Sequence, residues 1–306
     1  MKKGLILLFF LAGVGVFYLV SVQFPLPIWF PSEEVQADVI YLGTPEKVVD
    51  EMLRLAEVGP RDRLYDLGSG DGRIVITAAQ RWGTRGVGIE IDPDLIRLSR
   101  EKAVAARVAH RVEFVEKDLF KMDFHDASVI TLYLMPELNL RLRPIFLNDL
   151  RPGTRIVSHR WDMGAWQPDA VRQVTLEKNL FSVQKEKVST LFSWVIPANV
   201  SGTWQWNGSA GTEPPALKIV QHFQKAEGTL FDGDEKRSAM VEVRGNFIRI
   251  KSEKLNNGML VPVVFEGRVY GESIDGTVQY SRSGEADIRP WKVFRKAKTM
   301  AALDRP

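Results

Sequence analysis

From Leu64 to Arg73 the chain reads Leu-Tyr-Asp-Leu-Gly-Ser-Gly-Asp-Gly-Arg: an apolar run containing an acid, then three glycines separated by single residues. Glycine permits left-handed turns and lets a ligand approach the backbone with no Cβ in the way. A turn of this kind between a strand and a helix suits a nucleotide-like ligand, and the neighbouring acids say which kind. Dinucleotide sites favour G-x-G-x-x-G, because a diphosphate rests on the amides of the turn and of the helix start. Here Gly68, Gly70 and Gly72 are spaced G-x-G-x-G, with Asp66 and Asp71 beside them. Carboxylates repel a diphosphate and attract the ammonium of a methionine moiety. The expected ligand is therefore S-adenosylmethionine rather than a nicotinamide dinucleotide, held first by Asp66, Gly68, Ser69, Gly70, Asp71 and Gly72.

More acids fall where such a ligand needs them. Glu90 closes the next apolar run, followed by Ile91, and a carboxylate there can accept both ribose hydroxyls. Asp118 follows the third run and suits an adenine amino group, with Leu119 packing on the ring. A single acid after a strand is commonly just solvated. Three acids at three successive strand ends, beside a glycine turn, make a pattern.

These residues need elements to position them. Apolar runs at 63–67, 86–91, 112–116, 128–134 and 154–159 predict strands, and amphipathic stretches at 73–82, 93–106 and 136–150 predict helices between them. That alternation implies a parallel sheet covered on both faces. Two further runs, near 171–177 and 190–196, are expected to complete it as an antiparallel hairpin, giving a Rossmann-like seven-stranded α/β sheet. Ahead of it, Thr44 reads as an N-cap, Pro45 as the first helical residue and Gly59-Pro60 as the stop. From about Val200 short strand-like runs alternate with turn signals such as Asn257-Gly258 and Asp275-Gly276, so a small all-β barrel or sandwich should follow.

The strings Tyr41-Leu42-Gly43-Thr44-Pro45, Asp66 to Val75, Gly88-Ile89-Glu90, Asp118-Leu119 and Tyr133-Leu134 resemble the class I S-adenosylmethionine-dependent methyltransferases. Within that class they are similar to the lysine methyltransferases acting on the c-subunit of ATP synthase and on the adenine nucleotide translocase, with their bacterial relatives. The resemblance spans roughly residues 38–197. It implies S-adenosyl-L-methionine as cofactor, Thr44 near its carboxylate end, and a protein lysine as methyl acceptor. The Asn/Asp-Pro-Pro-Tyr signature of adenine and glutamine methylation is absent; Tyr133-Leu134-Met135-Pro136-Glu137 stands in its place.

Methyl transfer from a sulfonium is an in-line displacement, so the protein mainly aligns the reactants and excludes water. A lysine nucleophile must be neutral, which an apolar, aromatic pocket favours. Tyr133 is the candidate to orient the amine, with Glu137 and His159 as second candidates, His159 as a proton relay. Two other readings stay open: methylation of a lipid or small molecule at a membrane, and a non-catalytic module that binds the cofactor.

Composition narrows the field further. Cysteine is absent, which excludes disulfides, thiolate zinc sites and the iron–sulfur cluster of radical methylation. Four scattered histidines offer no HExxH pair, and no metal is expected. A net charge of +3 with no basic stripe does not predict a nucleic-acid partner. Residues 4–22 are uncharged and apolar after Lys2 and Lys3, close to the roughly 20 residues of a spanning helix. A cleaved signal ending near Ala37 is the alternative. The expected organisation is an anchor or signal (1–22), a linker (23–43), a methyltransferase domain (44–198) and an all-β domain (199–306). The positive-inside rule places everything after Val22 outside the cytoplasm, whereas S-adenosylmethionine is made inside it. The side of the membrane stays open.

Overall fold

The computed structural model describes residues 43–176, 188–206, 214–256, 259–282 and 285–304. The candidate span at 4–22 lies outside them. Among the described residues no helix is long and apolar enough to cross a membrane.

Seven strands form one sheet in the order β3-β2-β1-β4-β5-β7-β6. They are β1 (Arg63–Leu67), β2 (Arg85–Glu90), β3 (Val112–Glu116), β4 (Val129–Leu132), β5 (Arg155–His159), β6 (Ala170–Thr175) and β7 (Val188–Val195). The first five run parallel, and β7 pairs antiparallel with both β5 and β6. Four helices cover the faces: α1 (Glu46–Leu55), α2 (Arg73–Trp82), α3 (Pro93–Ala105) and α4 (Pro136–Asp149). Val48, Val49, Met52 and Leu53 of α1 join Val75 and Ala78 of α2 and Ile96 of α3 in one core. Leu138, Leu142 and Phe146 of α4 join Leu67, Ile130 and Ile156 in the other. The chain reverses its build direction between β1 and β4, so a crevice opens at the carboxyl ends of those strands, where open α/β sheets bind ligands.

The start of α3 follows its sequence signature. Asp92 accepts from the amides of Asp94 and Leu95, and Pro93 occupies the first turn. The start of α1 does not. Its N-cap is Pro45, no side chain caps it, and Thr44 is buried one residue before. Proline fills the position without supplying an acceptor, so the Thr44 N-cap expected from sequence gives way.

Eight antiparallel strands then close into a barrel, β8 (Gly202–Gln205), β9 (Ala216–His222), β10 (Lys225–Asp232), β11 (Glu235–Arg244), β12 (Phe247–Asn256), β13 (Met259–Tyr270), β14 (Ser273–Arg282) and β15 (Glu285–Arg295). Pairing of Phe294 with Gln205 and of Arg295 with Trp204 closes the ring. Of the expected barrel or sandwich, the chain forms the barrel. Sheet and barrel lie in one compact unit. Gly245 at the β11–β12 turn accepts from the Ala198 amide at 2.7 Å, and Phe223 stacks on Trp166 at 6.0 Å.

Candidate active site

Asp66 sits in β1 opposite Thr131 of β4. That register brings the Thr131 hydroxyl to 2.8 Å from Asp66 Oδ1, where it donates. Asp66 is 2% exposed, and among the described residues no cation pairs with it. Burial raises its carboxyl to about 7, the Thr131 bond pulling it down and the charges of Glu90 and Asp71 pushing it up. A buried carboxyl at the floor of a crevice, without a counter-ion, is suited to a cationic ligand.

The glycine turn runs directly above it. Gly68, Gly70 and Gly72 have φ of 76°, 53° and 76°, the left-handed region that favours glycine. Its amides are not free. Gly68 and Ser69 donate to the Ile89 carbonyl at 2.9 Å, Gly72 donates to Ser69, and Gly70 donates to Glu90 Oε2 at 2.9 Å. Four amides of the turn are thus spent on holding it, and a diphosphate would find those four occupied. The buried Ser69 hydroxyl has no partner among the described residues, leaving one polar atom of the turn for a ligand.

Glu90 is the clasp. Its Oε1 accepts from Ile91 and Asp92 at 2.7 and 3.1 Å while Oε2 holds Gly70. Carboxylate oxygens carry spare lone pairs, so ribose hydroxyls could still donate to this side chain. Ile91 is half-buried beside it. Asp118 caps a short 3-10 turn by accepting from Phe120 at 2.9 Å, and half-buried Leu119 packs on the core of the sheet's α4 side.

Asp71 is held by two cations. Arg73 donates to both of its oxygens at 2.8 Å, and Lys102 of α3 pairs with it as well. Burial opposes its ionisation, but the bonds and charges of Arg73 and Lys102 outweigh that and hold the carboxyl well below the usual range. Arg73 also donates to the Thr44 carbonyl at 2.7 Å. Asp71 therefore ties turn, α3 and the segment before α1 together, and Thr44 joins the site through its backbone. Sequence reading missed Thr131, Arg73 and Lys102. Arg73 carried a signal, a cation two residues from an acid; the other two become visible only with register and tertiary packing.

Two of the three residues expected on the acceptor side, Tyr133 and His159, meet at the ends of β4 and β5. Tyr133 follows β4 and faces His159, the last residue of β5, with ring centroids 4.1 Å apart. His159 is 2% exposed, and its Nδ1 has no partner among the described residues. Burial lowers its imidazole to about 4, with the Arg160 charge adding. At neutral pH the ring is uncharged and too weakly basic to keep a proton, so it serves as an aromatic wall better than as a relay. Glu137, in the first turn of α4, is exposed. The structure thus ties the glycine turn to Glu90, sets Asp66 against Thr131, pairs Tyr133 with His159, and leaves Glu137 on the surface.

Comparison with known proteins finds relatives of the same half of the chain. The family model described as ANTKMT methyltransferase domain matches residues 66–170. A protein-lysine N-methyltransferase of Saccharolobus islandicus (strain REY15A) is 41% identical over 137 residues, 44% of this chain and 85% of that protein. The adenine nucleotide translocase lysine N-methyltransferase of Mus musculus is 34% identical over 137 residues, 45% of this chain and 59% of that protein. The lysine N-methyltransferase of Homo sapiens named for the c-subunit of ATP synthase is 36% identical over 111 residues, 36% of this chain and 47% of that protein. The chain therefore spans most of the archaeal relative and about half of each mammalian one. Among solved structures, an RNA methyltransferase from Salinibacter ruber in complex with S-adenosyl-L-homocysteine is 52% identical. That match covers 52% of this chain and 96% of the other, with a TM-score of 0.46.

Proposed function

This chain belongs to the S-adenosylmethionine-dependent methyltransferases of the ANTKMT domain family, and from that premise we propose that it methylates a lysine amine of a protein. The observation that carries the cofactor on which this reading rests is Asp66, a buried carboxyl that no cation pairs with among the described residues. When bound, S-adenosylmethionine supplies a methyl carbon activated by its sulfonium. Asp66 holds the ammonium of the methionine moiety, Ser69 adds a hydroxyl, Glu90 takes the ribose hydroxyls, and Asp118 with Leu119 borders the adenine. Thr44, whose carbonyl Arg73 holds, would by the family resemblance border the carboxylate end.

The chain's contribution to transfer is positioning. The Tyr133–His159 wall disfavours a charged ammonium and favours the free amine, because low-dielectric surroundings raise the cost of charge. The Tyr133 hydroxyl, one residue beyond β4, accepts a hydrogen bond from that amine and aims its lone pair. Tyr133→Phe is expected to bind S-adenosylhomocysteine as the wild type does and to transfer methyl at least about tenfold more slowly. Calorimetry gives the first quantity and single-turnover labelling the second; an unaltered rate would clear Tyr133.

The acceptor class is tested by incubating cell membranes with radiolabelled cofactor. Methyllysine in hydrolysed protein is the expected outcome. Label confined to the lipid extract would make the acceptor a lipid, and no label anywhere would leave a binding module. Membranes are the place to look because the apolar run at 4–22 is long enough to anchor the chain; carbonate-resistant sedimentation of the full chain checks that location.

A further inference from the structure

The segment that leaves His159 is gripped from two directions. It runs from Arg160 to Asp169 before β6 begins, and Arg160 opens it at φ 75°, a left-handed conformation that bulky residues adopt rarely. On the sheet's side, α4 holds the segment by its backbone. Buried Asn139 donates to the Trp161 and Asp162 carbonyls at 3.2 and 3.3 Å. Arg143, four residues on and so on the same helix face, donates to the Met163 carbonyl at 2.9 Å. The approach is close. A Cβ at Gly164 would lie 2.9 Å from Leu140 and 3.3 Å from the Arg143 guanidinium.

From the barrel, two pieces reach the same segment. The β9–β10 turn lays Phe223 on buried Trp166, with ring planes inclined by 16°, and Gln224 donates to the Gln167 carbonyl at 2.6 Å. Phe223 has φ 54°, so this turn too is strained where it meets the segment, and such strain persists where the surroundings over-determine it. Beyond β15 the chain returns to bury Leu303 in the core that contains Trp166, and Asp304 accepts from Arg143 Nε at 2.9 Å. Arg143 is the joint. One planar fork takes the Met163 carbonyl at Nη1 and the Asp304 carboxylate at Nε, with the Phe223 ring centroid 5.5 Å from its central carbon. The two side chains are 19% and 21% exposed, which shields the pair from much of the screening that weakens surface ion pairs.

We propose that the barrel braces the acceptor side of the sheet: through Arg143 and Trp166 it fixes the course of the chain from Arg160 to Trp166, and with it the Tyr133–His159 wall. The inference rests on the reading of that wall as the place where the amine is presented. Arg143 and Asp304 are positioning residues, acting through the segment rather than on the reacting groups. The cofactor half is built on β1, β2 and the glycine turn, to which none of these contacts belongs. Loosening the brace therefore slows transfer and leaves cofactor affinity alone.

Hydrogen exchange on the full-length chain reads the brace without any acceptor, since the amides of Arg160, Trp161, Gly164 and Trp166 all donate within the structure. Asp304→Asn keeps the shape and removes the charge; Arg143→Lys keeps the charge and loses the fork. In both, amides from Arg160 to Trp166 should exchange at least about tenfold faster, while those from Leu64 to Gly72 keep the wild-type rate. Both substitutions break one joint, so the double variant should exchange no faster than the quicker single one. Asp275→Asn, in an exposed barrel ion pair with Lys292 at 2.9 Å, should change nothing. The two joint variants should bind S-adenosylhomocysteine as the wild type does and transfer label to cell membranes at least about fivefold more slowly. Unchanged exchange from Arg160 to Trp166, equal acceleration from Leu64 to Gly72, or wild-type transfer by a loosened variant would overturn the brace. A wild type that labels nothing would count against the lysine reading instead, and exchange would then decide the brace by itself.

Discussion

Asp66→Asn is expected to bind S-adenosylhomocysteine at least about 100-fold more weakly than the wild type and, at pH 8, to unfold at a higher temperature. Both effects come from one buried charge. The amide keeps the shape of the carboxyl and still accepts from Thr131 at its oxygen, so packing around β1 and β4 is preserved. It cannot pair with the ligand's ammonium, and loss of a desolvated charge-assisted contact costs about 3 kcal/mol or more. In the free protein the same charge is a burden. The Asp66 carboxyl lies at about 7 in the fold against 3.8 when unperturbed, a difference worth on the order of 4 kcal/mol at full ionisation.

The sign follows from proton binding. Between pH 4 and 7 the folded free chain carries a proton on Asp66 that the unfolded chain has lost. This group's contribution to stability therefore declines as pH rises through that window and is level above it. The asparagine variant has no such decline. Its advantage in melting temperature should approach zero near pH 4 and reach up to about 10 °C at pH 8. Ligand binding reverses the burden, since the ammonium pulls the Asp66 pKa down. At pH 6.5 binding by the wild type should release about three-quarters of a proton, visible as a heat that changes between buffers of different ionisation enthalpy. A variant that kept its ligand affinity, or that melted below the wild type at pH 8, would remove Asp66 from the role assigned to it.

How legible this site was depends on how local each cause is. β1, β3 and helix α2 lie where the sequence places them, residue for residue, because each is bounded by turn residues. Asp66, the glycines and Glu90 were legible as a group for the same reason: spacing within one strand–turn–helix unit is local. Thr131 was not. A lone threonine in the buried run of β4 gives no sign that register will set it against Asp66. Asp71 misled more deeply. Its charge looked like part of an acidic rim, whereas Arg73 and Lys102, the latter 31 residues away, cancel it. The discrimination against a diphosphate survives on a different cause, the occupied amides of the turn. In the barrel, β10 carries little signal of its own, because Lys-Ala-Glu-Gly-Thr-Leu-Phe-Asp shows weak alternation with glycine inside it. Closure fixes it, by pairing with β9 and β11 on either side.

Gly72→Ala is expected to destabilise the fold far more than Gly83→Ala, although the two glycines cap opposite ends of the same helix. Both have left-handed backbone, φ 76° and 67°. An alanine in that region costs about 1–2 kcal/mol at either place. The surroundings differ. A Cβ at Gly83 would meet only Pro60 Cβ at 3.7 Å, an ordinary contact. A Cβ at Gly72 would lie 2.6 Å from the Phe114 ring and 2.9 Å from Ser99 Cβ. Neither neighbour yields easily, since Phe114 is 5% exposed within the core and buried Ser99 donates to the Ile96 carbonyl. Overpacking adds about 1–3 kcal/mol, so Gly72→Ala should lose roughly 2–5 kcal/mol in urea unfolding against about 1–2 for Gly83→Ala. Displacing Phe114 or the Gly72 amide also shifts Asp71 and the turn that Glu90 clasps, so the Gly72 variant should lose cofactor affinity as well, whereas the Gly83 variant should retain it. Equal losses in both variants would mean that Phe114 gives way freely. In that case the third glycine of the turn would serve backbone conformation alone rather than the close packing of α2 on the sheet.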